Sequence, residues 1–271
     1  MIIAMTSSSY WRGAFASISV FAALSSGACA PYSAAPIEYQ HVEILHTYPF
    51  DSTTYTQGLE VDGDRLLVSG GQYNRSRIYY YTLDGVSTHN QPLDPELFGE
   101  GATRFGDTVW QLTWQSGIAF ARNAESLDVT HTVRYPGQGW GLCSYEDYMV
   151  MSDGSDTLRI LDGESFAERD RISITRDGEP VSMLNELACT KESGTRYVYA
   201  NIYLSTDIYK IDLDHKRVVA IIDASTVPNR TSGDTDHVLN GIANIPGTDR
   251  FYITGKQWPD LYEVRFSSEP A

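Results

Sequence analysis

The sequence predicts an all-β fold, a five-bladed β-propeller with mostly four-stranded antiparallel blades. Three observations lead there. One short layout recurs at Gln57-Gly58-Leu59, Glu100-Gly101-Ala102, Trp140-Gly141-Leu142, Asn185-Glu186-Leu187 and Asn240-Gly241-Ile242. Each copy has a polar or aromatic residue, then usually glycine, then usually an aliphatic, with a turn and a second strand pattern behind it. The copies start about 40 to 55 residues apart, the length of a four-stranded blade. Finally, the 18 tyrosines favour strands, and no stretch carries a long amphipathic helical period.

Taken in order, residues 1–30 read as an export signal. Arg12 gives a positive flank, and Ala14 to Leu24 is mostly apolar but shorter than a bilayer span. Small residues follow from Ser25 to Ala30, and cleavage after Ala28 would leave Cys29 first, as in a lipid-anchored protein. Cleavage without a lipid is the other option. Either way the mature protein is expected to be exported, periplasmic or extracellular. Residues 31–41 read as a linker, 42–266 as the propeller and 267–271 as a tail. Val42 to Tyr48 alternates as a strand and is expected to close the last blade against Leu261 to Phe266, which removes an open sheet edge.

The first hairpin turns at Asp62-Gly63-Asp64, a strong hairpin signal, and the second at Gly106-Asp107. The third turns at Glu146-Asp147, the fourth through Ser193-Gly194, and the fifth at Pro246-Gly247-Thr248-Asp249. Further strands are expected over Arg77–Leu83, Ile118–Ala121, Leu158–Leu161, Ile208–Leu213 and Leu261–Phe266. The longest irregular stretch, Ser225 to His237, is polar, and a loop of that length is more often functional or mobile than filler.

A formal charge of −15 leaves no basic surface for nucleic acid. There is no Gly-x-Ser-x-Gly elbow, phosphate loop or Cys-x-x-Cys, and the six histidines lack metal-ligand spacing. Asp153-Gly154-Ser155-Asp156 reads as a tight turn before it reads as a cation site. No second stretch could cross a membrane. Cys143 and Cys189 form an even pair in an oxidising compartment, either bridged or as two buried thiols.

A ring of repeats would turn Gln57, Glu100, Trp140, Asn185 and Asn240 toward one central mouth. Glu100 stands out as the carboxylate among neutral neighbours. Desolvation beside tryptophan would raise its pKa and suit it to proton transfer; the alternative is a turn carboxylate in solvent. Trp114, Tyr203 and Lys256 fall at or just past the ends of second strands. The tryptophans could wall a pocket or pack between blades, and Lys256 could stabilise an oxyanion or sit in solvent. Glu186, one residue past a ring position, is expected from strand alternation to point away from the mouth.

Several motifs then occur in one order: Thr56-Gln57-Gly58-Leu59, Phe98-Gly99-Glu100-Gly101, Leu112-Thr113-Trp114-Gln115, Gly139-Trp140-Gly141-Leu142, Met151-Ser152-Asp153-Gly154, Leu184-Asn185-Glu186-Leu187, Leu239-Asn240-Gly241-Ile242 and Thr254-Gly255-Lys256-Gln257-Trp258-Pro259. This series, spanning Tyr48 to Val264, resembles the plant and bacterial glutaminyl-peptide cyclotransferases. The resemblance implies a five-bladed propeller that converts N-terminal glutamine of peptides to pyroglutamate and releases ammonia. It implies no metal and no cofactor, and peptide or protein substrates; the chain is expected to act as a monomer. Carried over position by position, Glu100, Asn185 and Lys256 would be catalytic, while Gln57, Trp114, Trp140 and Tyr203 would hold substrate. Tyr203 stands where the family commonly has tryptophan, and Ala188 where it often has glutamate. Two other readings remain: a ligand-binding propeller without catalysis, which would tolerate loss of Glu100, and a glycosidase, which would need a second carboxylate such as Glu186 or Asp153.

Overall fold

The computed structural model describes residues 35–231 and 235–268. The export signal, Cys29 and most of the expected tail lie outside the described residues. Within them the chain forms 22 strands and no helix.

The chain begins with β1 (Glu38–Pro49). Three antiparallel four-stranded sheets follow. The first holds β2 (Thr56–Asp62), β3 (Arg65–Gly70), β4 (Arg77–Tyr81) and β5 (Ser87–Pro92). The second holds β6 (Gly99–Phe105), β7 (Thr108–Thr113), β8 (Ile118–Asn123) and β9 (Val129–Arg134). The third holds β10 (Leu142–Ser144), β11 (Met149–Met151), β12 (Thr157–Leu161) and β13 (Glu168–Ser173). A short pair, β14 (Thr175–Arg176) and β15 (Glu179–Pro180), leads into β16 (Leu184–Glu192), β17 (Thr195–Ile202), β18 (Asp207–Asp212) and β19 (Arg217–Asp223). The last group is β20 (Leu239–Asn244), β21 (Arg250–Gly255) and β22 (Asp260–Ser268).

β1 pairs antiparallel with β22, with Val42 opposite Phe266 and Tyr48 opposite Leu261, the partners that the alternation predicts. It begins four residues earlier than its pattern suggests. Residues 38 to 41, expected as linker, also pair in parallel with Ala220 to Asp223 of β19. The last two groups therefore share β1 and count as one ten-stranded sheet rather than as two of four strands. The arrangement leaves neither β19 nor β22 an open edge.

The first strands of the groups pack in a closed series: β2 on β6, β6 on β10, β10 on β16, β16 on β20, and β20 on β2. The apolar core lies between successive groups, because second and third strands bury both faces. On β3, Leu66 and Val68 pack toward β21 and β22, whereas Leu67 packs toward β6 and β7. Strand alternation divides Tyr79 and Tyr81 from Ile78 and Tyr80 of β4 in the same way. Outer strands such as β5 (STHNQP) and β9 (VTHTVR) are mostly exposed and polar. Cys143 of β10 and Cys189 of β16 are joined by a disulfide, their Cα atoms 5.4 Å apart, which ties neighbouring inner strands.

Candidate active site

Four of the five inner strands are irregular at the repeated motif. Pairing skips a residue between Thr56 and Gly58, Gly99 and Ala102, Leu184 and Leu187, and Leu239 and Ile242. At the remaining strand, the Trp140 N–H donates to the Ser152 carbonyl and the Ser152 N–H to the Gly141 carbonyl, each at 3.0 Å, so two residues again face one. Such a bulge re-aims a side chain out of the regular pleat. Gln57, Glu100, Trp140 and Asn185 consequently line one mouth, and Trp114, Tyr203 and Lys256 reach it from just past β7, β17 and β21. All seven sequence-predicted substrate and catalytic positions thus share a cavity of about 220 Å³.

The glycine after the motif residue has a steric cause. A Cβ on Gly101 would lie 2.6 Å from both the Trp140 carbonyl oxygen and the Leu142 nitrogen, so β6 and β10 could not approach. That approach lets the Gly101 N–H donate to the Trp140 carbonyl at 2.7 Å. Side chains from second strands hold the other motif backbones. The Ser69 hydroxyl donates to the Glu100 carbonyl, the Ser152 hydroxyl donates to the Asn185 carbonyl at 2.7 Å, and the Asn201 amide oxygen accepts from the Gly241 N–H at 3.0 Å.

Glu100 is 3 % exposed. Burial pushes its carboxyl well above the ordinary value, while the Lys256 charge and a hydrogen bond with Gln57 act in the opposite direction. Lys256 is likewise 3 % exposed, and burial draws its ammonium down, opposed by the charges of Glu100 and Asp236. Its Nζ lies 4.8 Å from the Tyr55 ring centre and 4.7 Å from that of Tyr203, a cation between two aromatic faces. The walls are aromatic: Trp140 meets Tyr203 edge-on at 5.5 Å, and Phe98 meets Trp114 at 5.6 Å. The Gln138 amide oxygen accepts from both indole N–H groups, at 2.7 Å from Trp114 and 3.2 Å from Trp140.

One sequence expectation needs correction, and a second holds for a different reason. Asn240 does not line the mouth; it is fully buried, and its amide donates to Gln57 Oε1 at 3.1 Å and to the Thr56 carbonyl at 2.9 Å. It orients Gln57 from behind. Glu186 points away from the mouth, as expected, though not through simple alternation. The β16 bulge breaks the alternation, and the side chain crosses the axis, where Oε1 accepts from the Leu59 N–H of β2 at 2.9 Å. It is fully buried, and burial raises its carboxyl well above the ordinary value. It does not reach the mouth lining, so the mouth lacks the carboxylate pair with Glu100 that a glycosidase reading would draw from Glu186.

Asp153-Gly154-Ser155-Asp156 is a tight turn: Asp153 Oδ1 accepts from the Ser155 N–H at 3.1 Å. Gly154, at φ +82°, leaves room for the Trp140 indole. Among the described residues no cluster of three metal-ligating side chains occurs, and no helix is long and apolar enough to cross a membrane.

Three lining residues escaped the sequence reading: Tyr55, Phe98 and Asp236. Tyr55 and Phe98 each precede a motif residue by two, the spacing that returns a strand side chain to the same face. Asp236 belongs to the long loop ahead of β20, whose length alone marked it. A second cavity, at the other end of the inner strands, is lined by residues including Glu60, Cys143 and Cys189, and holds no tryptophan. Glu60 there is already engaged by the Thr103 hydroxyl and by the Arg104 N–H at 2.9 Å.

Comparisons with known proteins identify the family. A curated glutaminyl-peptide cyclotransferase of Arabidopsis thaliana is 30 % identical over 237 residues, covering 85 % of this chain and 72 % of the plant protein. The crystal structure of Myxococcus xanthus glutaminyl cyclase superposes with a TM-score of 0.78 at 32 % identity, covering 86 % of this chain and all of the other. The family described as glutamine cyclotransferase matches residues 17–266. On that match and that identity, the chain belongs to the glutamine cyclotransferase family.

Proposed function

We propose that the protein is a glutaminyl-peptide cyclotransferase, converting N-terminal glutamine of peptides or proteins to pyroglutamate with release of ammonia. The observation that carries this reading is Glu100, a buried carboxyl in an aromatic mouth beside Lys256 and Asn185. The five inner strands and their closed packing support a five-bladed propeller spanning residues 42–266, with β1 as the outer strand of the last blade.

The substrate's α-amine attacks its own γ-carboxamide carbon. An α-amine of pKa roughly 7.7–8.0 is partly neutral at pH 7. As the new C–N bond forms, Glu100 takes a proton from that nitrogen. Lys256 and Asn185 stabilise the oxygen anion of the tetrahedral intermediate, and Gln57, steadied by Asn240, orients the amide. Collapse breaks the bond to the side-chain nitrogen, and Glu100 returns the proton to it, so that ammonia leaves. A carboxyl raised above its ordinary value by burial holds the transferred proton more readily than a solvated one, which suits both tasks. Trp114, Trp140 and Tyr203 hold the side chain folded for ring closure.

Every group in this scheme comes from one chain, which supports action as a monomer. The Cys143–Cys189 bridge supports the export read from residues 12–30, since such bonds persist in oxidising compartments. The test is direct. The mature protein is incubated with a glutamine-initiated peptide, with and without a chelator, and ammonia release and peptide mass are followed. Equal ammonia and pyroglutamate, insensitive to the chelator, is expected. A peptide bound but unchanged would favour a ligand-binding propeller instead.

A further inference from the structure

The catalytic scheme leaves one charged residue of the mouth unused. Asp236 lines the same cavity as Glu100 and Lys256, yet it is exposed where they are buried. It sits at the rim. Its carboxylate accepts a hydrogen bond from the Tyr55 hydroxyl, and Tyr55 in turn carries the Lys256 ammonium on its ring.

The backbone beside Asp236 is anchored. The His237 carbonyl accepts from Asn229 Nδ2 at 2.9 Å and from the Trp258 indole N–H at 2.9 Å. The His237 ring bonds Gln257 Oε1 at 2.7 Å, one residue from Lys256. Upstream, Arg230 pairs with Asp260, and the Tyr262 hydroxyl donates to the Pro228 carbonyl at 2.7 Å. The described residues on either side of 232–234 are therefore tied down, and Asp236 stands next to one of these anchors.

The chemistry of the proposed reaction divides the substrate between floor and rim. The α-amine and the γ-amide must both come within reach of the buried Glu100. What remains at the rim is the chain after the glutamine. We infer that Asp236 is a specificity-determining residue that reads the charge of the residue following the N-terminal glutamine, favouring a cationic side chain and disfavouring an acidic one. This inference rests on the cyclisation reading and deepens it. Among the described residues lining the same cavity, Lys256 and Glu100 also carry charge, and both are buried. Of the charged residues described in that lining, Asp236 is thus the one exposed to an incoming side chain.

The test compares kcat/KM for Gln-Lys, Gln-Ala and Gln-Glu peptides of otherwise identical sequence, using wild type, Asp236→Asn and Asp236→Glu. The readout is the Gln-Lys to Gln-Glu ratio within each protein, which cancels any uniform loss from freeing Tyr55. The ratio is expected to favour lysine in wild type and to fall about three- to tenfold in Asp236→Asn, the scale of one partly screened charge pair. Asp236→Glu should restore most of it, and added salt should shrink the wild-type preference. A ratio unchanged in Asp236→Asn overturns the assignment while leaving the cyclotransferase reading intact. No ammonia from any of the three peptides in wild type would instead overturn the parent reading, and this inference with it.

Discussion

Replacing Glu186 by glutamine should make the protein more resistant to alkaline pH. Glu186 is fully buried, accepts a hydrogen bond from the Leu59 N–H, and feels the negative charges of Glu100 and Glu60. Burial, the largest cause, raises its carboxyl above the ordinary 4.5. A carboxyl raised on folding contributes stability that is fully present below its unfolded pKa and is lost as pH rises through the folded value. Each pH unit above 4.5, up to that folded value, removes about 1.4 kcal/mol from wild type. Between pH 5 and pH 8 the ceiling is about 4 kcal/mol, or roughly 8–16 °C in Tm for a domain of this size. Glutamine keeps the shape and the acceptor for Leu59 but does not titrate. Thermal unfolding by circular dichroism at both pH values should show the Tm advantage of Glu186→Gln growing from pH 5 to pH 8, up to that ceiling. An advantage that is flat with pH, or a variant less stable at pH 8, would refute the placement of an acid on the axis.

Three further outcomes follow. Serine at both Cys143 and Cys189 opens a loop with a sequence separation of 46, whose closure is worth up to about 4 kcal/mol, so denaturant unfolding should show a loss of about 2–4 kcal/mol. Thiol counting on unfolded protein should find that pair reactive only after reduction. Gly101→Ala places a methyl group against the backbone of Trp140 and Leu142, and should cost about 1–3 kcal/mol in urea titrations while displacing Glu100 and lowering turnover. Log kcat/KM against pH should show two breaks on its acid side, one from the substrate amine and one from Glu100 above 4.5. Below both, the slope should approach two. A single break at the amine value, continuing with unit slope to pH 4.5, would remove the raised carboxyl.

Much of the site was legible because its residues lie on repeated strand starts, which composition and order mark together. Gln57, Glu100, Trp140 and Asn185 read out of the motif layout, and Trp114, Tyr203 and Lys256 out of the strand ends behind it. What was not legible has separate physical causes. Alternation places Glu186 away from the mouth, which holds, but the bulge that sends it across to Leu59 leaves little trace in a single strand. The replacement of the usual glycine by Glu186 was the available hint. Asn240 has the motif layout of its neighbours, yet it packs behind Gln57, a depth that sequence spacing does not encode. Alternation also gave β1 its antiparallel partner, whereas the parallel pairing of Glu38 to His41 with β19 has no sequence period of its own. Asp236 sits in an irregular loop, where no period exists to place a side chain.

The central claim is that the buried carboxyl of the mouth moves the proton. Glu100→Gln removes that function while keeping size and hydrogen bonding to Gln57. Ammonia release from a glutamine-initiated peptide, measured on protein whose Tm stays within a few degrees of wild type or above it, should show kcat/KM reduced at least about 100-fold. A folded Glu100→Gln protein turning over at nearly the wild-type rate would contradict the account.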